Sequence, residues 1–518
     1  MEELKENLFN WYNFKENAEI LDLGNNISKY IKQKVDINFV PSKKYDYVIL
    51  VGMLEKHARI DTLKKAISAL KDDGKLLIAE NNKFGINNWN GKRDLQGSLD
   101  YREITRTYSE NEDGLLSKHQ IKELLSSLDV SNHKFYYIFP NYNLPNLIYT
   151  DDYTLTEEDI TRNFETYEDG EFVNFNENLA LTEIVKENPK LVNFFANSFL
   201  IEASKSEIEN DIKYVSFTNY RKEEYRISTI LKEDIAEKKA TTTMAEIHIK
   251  NMAENLKNFP TENTEALETL NNNVLESKFI KDTPRLDLYM KNLNTYEEFI
   301  KEFNEYKKIL YQNTLEYSEV KDNLCKTLKA YGEEKLSKMK FLKYAFIDML
   351  PKNCFKIDGK YCFFDQEWCE NYYPIEYIIY RAINNTEGIV KRYGEEKIFK
   401  DLEISEYLDL FKNLEEEFRK KVIDDTMLYD LFDKKVITRE ALLVDYNKKI
   451  VDRDTEINKL NIDIEAKRVH VEELLGVINE KENQMAAILN SRSWKITKPL
   501  RDVSGKIHER KNKKMLKK

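Results

Sequence analysis

The chain is 518 residues long, 41% hydrophobic and 33% charged, with 92 acidic against 81 basic side chains and a net charge of −11. That length implies two or three cores plus extensions, and the acidic balance excludes nucleic acid as a general partner. Four cysteines, none in C-x-x-C spacing, and six scattered histidines argue against a disulfide framework or a zinc site and suit a reducing, cytoplasmic compartment.

The first third alternates strand and helix patterns. Residues 18–23 (AEILDL) predict a buried strand ending in Asp22-Leu23-Gly24, followed by a helix over 27–34 and strands over 35–40 and 45–51 (YDYVILV). A helix over 61–70, stopped at Gly74, leads to a strand over 75–79. This alternation predicts a parallel, doubly wound α/β sheet. The D-L-G ending, with YDYVILVGMLEKH and LKDDGKLLIAENNKFG, resembles class I S-adenosylmethionine-dependent methyltransferases across residues 10–201. ENNKFGINNWNG, FYYIFPNYNLP and NSFLIEAS are similar to methyltransferase domains of bacterial surface-polysaccharide clusters. The resemblance implies that Asp22 and Gly24 bind the cofactor, S-adenosylmethionine, and that Glu55 and Glu80-Asn81 are further matching positions. The family's G-x-G loop is reduced here to Gly24 followed by Asn25-Asn26. Glycine lets backbone amides approach a cofactor closely, so its loss predicts a degenerate domain in which methyl transfer has lapsed.

From residue 214 the rhythm changes. Strands are expected over 214–217, 225–231 and 235–239, around a polar turn at 218–224. Thr241 or Thr242 can cap a helix reaching residue 256, with Met244, Ile247, Met252 and Leu256 on its apolar face. Helices over 286–310 and 317–331 lead to the most informative stretch, FIDMLPKNCFKIDGKYCFFDQEW at 346–368. Asp348 and Asn353 flank Pro351 on a loop, strands over 354–357 and 361–364 are joined by Asp358-Gly359, and Asp365 follows the second strand. Asp-Gly between two short apolar runs favours a type I′ hairpin, which returns Asp365 to the neighbourhood of Asp348 and Asn353. Phosphoryl transfer needs one carboxylate to accept a hydroxyl proton, and an amide with a second carboxylate to hold Mg²⁺ on ATP.

With an apolar helix over 374–383 (PIEYIIYRAI), this block resembles the aminoglycoside and choline kinases, and more narrowly the kinase-like domains fused to methyltransferases in lipopolysaccharide O-antigen clusters. That resemblance implies an α+β, two-lobed, protein-kinase-like fold. It makes Asp348 the catalytic base and Asn353 and Asp365 the metal ligands, and has Lys238 or Lys239 meet the ATP phosphates with Glu246 as the lysine's partner. Strand alternation sends only one of the two lysines inward, without saying which. Two departures stand out: Phe346 occupies the position where the family has His or Tyr, and NYRKEE has no glycine. Glu367 is either a further acid near the site or a helix cap.

Leu443, Ile450, Ile457, Ile464, Val471, Ile478 and Met485 recur every seven residues. Such a repeat predicts a coiled coil, with self-association as a dimer or trimer. Beyond it, residues 491–518 carry eleven Lys or Arg against Asp502 and Glu509, suited to an anionic membrane surface or an acidic partner. SRSWKITKPLR resembles the tail that follows coiled coils in surface-polysaccharide glycosyltransferases and methyltransferases.

The expected organisation is thus a methyltransferase-like domain over 1–205, a kinase-like domain over 210–436, a coiled coil over 438–490 and a basic tail over 491–518. That order resembles the bifunctional kinase–methyltransferase family that terminates O-antigen chains. The resemblance implies a cytoplasmic protein, peripheral at the inner face of the plasma membrane, which phosphorylates a hydroxyl of a glycan or lipid-linked polysaccharide and docks a glycosyltransferase. The rival readings are a non-catalytic scaffold for glycosyltransferases and an active methyltransferase.

Overall fold

A computed structural model describes residues 2–95, 97, 101–164, 172–281, 283–386, 388–432 and 437–515. The chain divides into two units, Met1–Thr438 and Arg439–Lys518. The first is a mixed α/β body built on one twelve-stranded sheet. Its strands are β1 (Ile20–Asp22), β2 (Val35–Asp36), β3 (Tyr45–Val51), β4 (Leu70–Asn81), β5 (Asn132–Phe139), β6 (Leu147–Thr150), β7 (Ser198–Ser204), β8 (Tyr214–Phe217), β9 (Ile227–Leu231), β10 (Ile235–Ala240), β11 (Glu268–Asn271) and β12 (Val274–Lys278). Their spatial order is β11-β12-β10-β9-β8-β6-β5-β7-β4-β3-β1-β2.

Pairing is parallel only among β2, β1, β3 and β4; every other pair is antiparallel. The expectation of a parallel sheet therefore holds for one end of it alone. The sheet also runs straight through residues 205–210, where a domain boundary was expected, because β6 pairs with β8 (Leu147↔Ser216, Ile148↔Val215, Tyr149↔Tyr214).

The continuous apolar run of β3 is explained by burial on both faces. Val48 and Leu50 pack with Leu63 and Ala66 of α1 (Arg59–Ala69) and with Ile121 and Leu125. Tyr47, Ile49 and Val51 pack with Leu8, Trp11 and Tyr12 from the chain's start. The Tyr12 hydroxyl, Lys75 Nζ and Asn210 Nδ2 donate to the buried Glu202 at 2.9, 2.6 and 3.1 Å, which fixes this segment to the sheet.

Several predicted elements are shorter. The helix expected over 27–34 is a single turn, Ser28–Tyr30, because the Asp22 carboxylate accepts the Ile27 and Ser28 N–H groups (2.8 and 2.9 Å) and bends the chain there. The strand over 35–40 shrinks to Val35–Asp36. The helix expected over 286–310 breaks into Leu286–Lys291 and Tyr296–Leu310, the second opened by a reciprocal Thr295–Glu298 capping box. The segment 317–331 likewise divides into Tyr317–Val320 and Lys326–Tyr331.

The C-terminal half of this unit gathers around β13 (Lys340–Phe346), the hairpin β14 (Cys354–Ile357) and β15 (Lys360–Phe363), and the strand Cys369–Pro374. Asp358 and Gly359 both have positive φ, 50° and 81°, as a type I′ turn requires. Helices α2 (Ala245–Leu256), α3 (Ile375–Asn384) and α4 (Leu408–Val422) complete the parts used below. Thr242 Oγ1 accepts the first α2 N–H, from Ala245, at 3.1 Å. Cys325, Cys354, Cys362 and Cys369 are all free.

The second unit holds α5, a 52-residue helix over Arg439–Asn490, and the helices Arg492–Ile496 and Lys498–Met515. Among the described residues no helix is long and apolar enough to cross a membrane.

Because β6 and β8 share ladder bonds and the two apolar clusters on the faces of the large sheet cross that seam, residues 1–438 are expected to unfold as one cooperative body. Calorimetry should record one transition for this unit, whereas two resolved transitions would mean that its halves fold independently.

Candidate functional site

The hairpin sets the geometry. Asp365, immediately past β15, adopts φ +58°, and its carboxylate forms an ion pair with Lys238 Nζ from β10. Lys238 is thus the inward lysine of the pair; Lys239 turns the other way, to Glu237 (3.0 Å) and Asn13 (3.4 Å). Among the described residues Lys238 has a second carboxylate neighbour, Glu268 of β11, at 3.8 Å. Glu246, the expected partner in the first turn of α2, is not among those neighbours, so β11 supplies the acid in place of the helix. Burial opposes the ammonium charge of Lys238, yet Asp365 and Glu268 hold it above its ordinary value.

Asp348 and Asn353 sit against this pair. The Asn353 and Gln366 side-chain amides both donate to the Asp348 carbonyl, at 3.2 and 2.8 Å, and Phe364 N–H donates to the Asn353 carbonyl at 3.0 Å. Backbone bonds thereby lock the loop to the end of the hairpin. The Asp348 carboxylate is buried and has Arg381 of α3 at 3.4 Å. Burial pushes its pKa up to about 7; Arg381 pulls against that shift while Asp365 and Glu367 add to it.

Beside them lies an ion cluster that sequence inspection left half-read. Glu367 is buried and paired with Arg221 and with His248 Nε2 (2.8 Å). Burial works against its charge, but Arg221 and His248 hold its carboxyl well below the usual range. It is therefore a structural junction between the 218–224 turn, α2 and the segment after the hairpin. Glu268, Gln366, Arg221 and Arg381 were not anticipated. Arg381 left a signal, as one of two charges, with Glu376, inside the otherwise apolar run PIEYIIYRAI, where a buried charge needs a partner.

Among the described residues no group of three or more His, Cys, Asp or Glu is arranged to hold a metal ion. Asp365, 46% exposed, and Asn353 offer one carboxylate and one amide oxygen, a donor set that suits Mg²⁺ when phosphates supply the rest.

The other expected site lies where the order of β2, β1 and β3 reverses, a place where open α/β sheets commonly bind ligands. Here the chain fills it. Asn26 Nδ2 donates to the Val51 carbonyl (2.8 Å), tying the loop after β1 to the end of β3. A Cβ on Gly24 would meet Asn26 Nδ2 at 2.9 Å and Met53 Sδ at 3.0 Å. Asp22 Oδ2 accepts the Ile27 and Ser28 N–H groups, Glu80 Oε1 those of Met53 and Leu54, and Glu55 that of Asn81, while Asp22 Oδ1 and Glu80 Oε2 are buried with no hydrogen bond among the described residues.

Compared with known protein families and with curated proteins, the chain matches none.

Because the folded-state pKa of Glu367 is depressed, its pairing stabilises the fold above the ordinary carboxylate range, and that stability is lost as pH falls through it. Glu367→Gln is expected to cost about 3–5 kcal/mol at pH 7 and progressively less toward pH 3. Urea unfolding at both pH values tests this; an equal loss at each would exclude the charge as the cause.

Proposed function

We propose that the protein is a kinase-type phosphotransferase of surface-polysaccharide assembly, with a methyltransferase-like N-terminal half kept as scaffold. The reading is carried by one observation: Lys238 and Asp365 are paired at the end of the hairpin whose backbone also holds Asp348 and Asn353. In the proposed roles β8 to β12 and α2 form the nucleotide lobe, and the helices around α3 and α4 form the acceptor lobe.

The proposed reaction is transfer of the γ-phosphoryl group of ATP to a glycan hydroxyl. The hydroxyl oxygen attacks the γ-phosphorus, the bond to the bridging oxygen of the β-phosphate breaks, ADP leaves, and the proton passes to Asp348. Lys238 would leave Asp365 for the phosphates, a short movement between two anionic partners. Mg²⁺, held by Asp365 and Asn353, would neutralise charge on the phosphates. Arg381 keeps part of the Asp348 population ionised near neutrality, which a base requires.

One observation favours a second reading, the non-catalytic scaffold. Lys238 and Asp365 neutralise one another within the proposed nucleotide site. Either reading uses α5 in the same way. Its seven heptad positions from Leu443 to Met485 are 52–62% exposed in the single chain, a seam that a second or third copy would cover. The basic helix Lys498–Met515 would then face an anionic membrane or a partner glycosyltransferase.

Calorimetric titration of the full chain with Mg-ATP should give saturable binding that Asp365→Ala removes. Asp348→Asn should cut phosphate transfer at least about 100-fold, the usual contribution of a general base. Since burial raises the Asp348 pKa to about 7, transfer should increase from pH 6 to pH 8 as the carboxyl ionises. Undiminished turnover by Asp348→Asn would overturn the assignment, and absence of nucleotide binding would favour the scaffold. For α5, the double variant Ile457→Lys with Ile464→Lys should sediment as a monomer where the wild type does not.

A further inference from the structure

The N-terminal half, proposed as scaffold, sends one segment toward the residues of the C-terminal half. The short helix Glu157–Thr161 ends at Arg162, and two sets of contacts fix where it lies. The Tyr153 hydroxyl donates to Asp159 Oδ2 at 3.2 Å, and the Tyr153 ring packs on that of Tyr214 with centroids 4.5 Å apart. Glu158 Oε2 lies 3.6 Å from Arg285 Nη1, and a β-bridge pairs Arg285 with Phe355 of β14, two residues past Asn353. We propose that Arg162 is a phosphate-binding residue of the phosphotransferase, its guanidinium taking the terminal phosphates of the nucleotide alongside Lys238. The inference deepens the phosphotransferase reading above and rests on it.

Strand register is the first support. Tyr214 of β8 pairs with Leu231 of β9, and Leu231 with Ala236 of β10. Two residues along each strand, Ser216 pairs with Thr229 and Thr229 with Lys238. Side chains two apart on a strand share a face, so Tyr214 and Lys238 rise from the same side of the sheet. The segment packed on Tyr214 therefore stands over the face from which Lys238 reaches Asp365. The charges agree with that placement. Partial desolvation opposes the Arg162 charge, but Glu158, Tyr214, Asp159 and Asp365 together raise its pKa.

The second support is a clamped main chain. Asn146 Nδ2 donates to the Arg162 carbonyl at 2.8 Å, Asn219 Nδ2 to Asn146 Oδ1 at 3.0 Å, and Asn7 Nδ2 to Asn219 Oδ1 at 2.7 Å. All three asparagines are buried. Asn219 belongs to the 218–224 turn, which has no glycine to let its amides close around phosphates. A guanidinium anchored to that turn supplies donors that the turn lacks.

The third support is that the side chain can be released at little cost. The Arg162 side chain is 59% exposed, and Glu158, its ion-pair partner one turn back, is 45% exposed. Exposed pairs of this kind contribute little to stability. Arg162 pairs with Glu158 Oε1, whereas Arg285 lies on Oε2 and would keep the carboxylate company once Arg162 turned away. The planar fork of a guanidinium meets two phosphate oxygens at once, which the point charge of Lys238 cannot do.

Binding to the full chain tests this, with Mg-ATP followed by calorimetry and adenosine, which has no phosphate, by saturation-transfer NMR. Arg162→Ala should weaken Mg-ATP by about tenfold or more, the scale of one lost hydrogen bond to a charged group. Adenosine should bind within twofold of the wild type. Arg162→Lys, which keeps the charge but not the fork, should recover only part of the loss, and it serves if the first variant fails to fold. Unchanged Mg-ATP affinity in both variants would overturn the assignment and leave the phosphotransferase reading standing. Equal weakening of Mg-ATP and adenosine would also overturn it, by showing that Arg162 shapes the site without meeting phosphate. Failure of the wild type to bind Mg-ATP would overturn the phosphotransferase reading and, with it, this role for Arg162.

Discussion

The pairing of Lys238 with Asp365 is the contact on which the rest of this architecture turns. An ammonium whose side chain is 12% exposed cannot remain charged without anionic neighbours, and it finds them on two different elements, the end of the hairpin and β11. Satisfying that one charge brings the antiparallel half of the sheet onto the loop of Asp348 and Asn353. Glu268 then accepts the Gln366 N–H at 3.2 Å, and Gln366 in turn donates to the Asp348 carbonyl at 2.8 Å. The chain of contacts from β10 to the proposed base is therefore unbroken and made entirely of charged or amide groups.

The N-terminal half shows what happens when the equivalent residues are used differently. Asp22, Glu55 and Glu80 are all buried, and each accepts backbone N–H groups of its own loops. Burial, followed by the neighbouring Glu55, drives the Glu80 carboxyl well above the usual carboxylate range. With β6 paired to β8, this half extends the sheet of the other, so a lapsed site would not make its strands dispensable.

Legibility in the sequence followed the range of the determining forces. The Asp358-Gly359 turn was readable because two consecutive positive φ angles demand that residue pair. The strand Tyr45–Val51 was readable because its apolar run is unbroken. The choice between Lys238 and Lys239 was not, since alternation fixes that they oppose each other but not which faces in; Glu237, beside Lys239, settles it in space. Glu268 displaced Glu246 for the same reason, as its strand lies next but one to that of Lys238 in a sheet whose order is set by long-range pairing. The turn at 28–30 was misjudged because a buried side-chain acceptor, Asp22, outweighed local helix preference.

The balance between enzyme and scaffold can be weighed by what the buried charges cost. Lys238, Glu268, Asp348, Glu367, Arg221 and Arg381 are all largely withdrawn from water within one small region. Removing ions from water costs several kcal/mol each, and well-packed apolar residues in their place are often neutral or stabilising by about 1–4 kcal/mol. Structural need accounts for part of the set, since Arg221, His248 and Glu367 join three elements. It does not account for Asp348, whose carboxyl is pushed up by burial and whose Arg381 neighbour lies at 3.4 Å. Arg381, by contrast, has Asp348 at 3.4 Å and Glu415 at 3.5 Å and joins α3 to α4. A region whose only task was to hold helices together would lose little by replacing Asp348 and its partner with apolar residues. Asp348, buried beside the end of the hairpin, is the one member of the set that the proposed role as a base would explain.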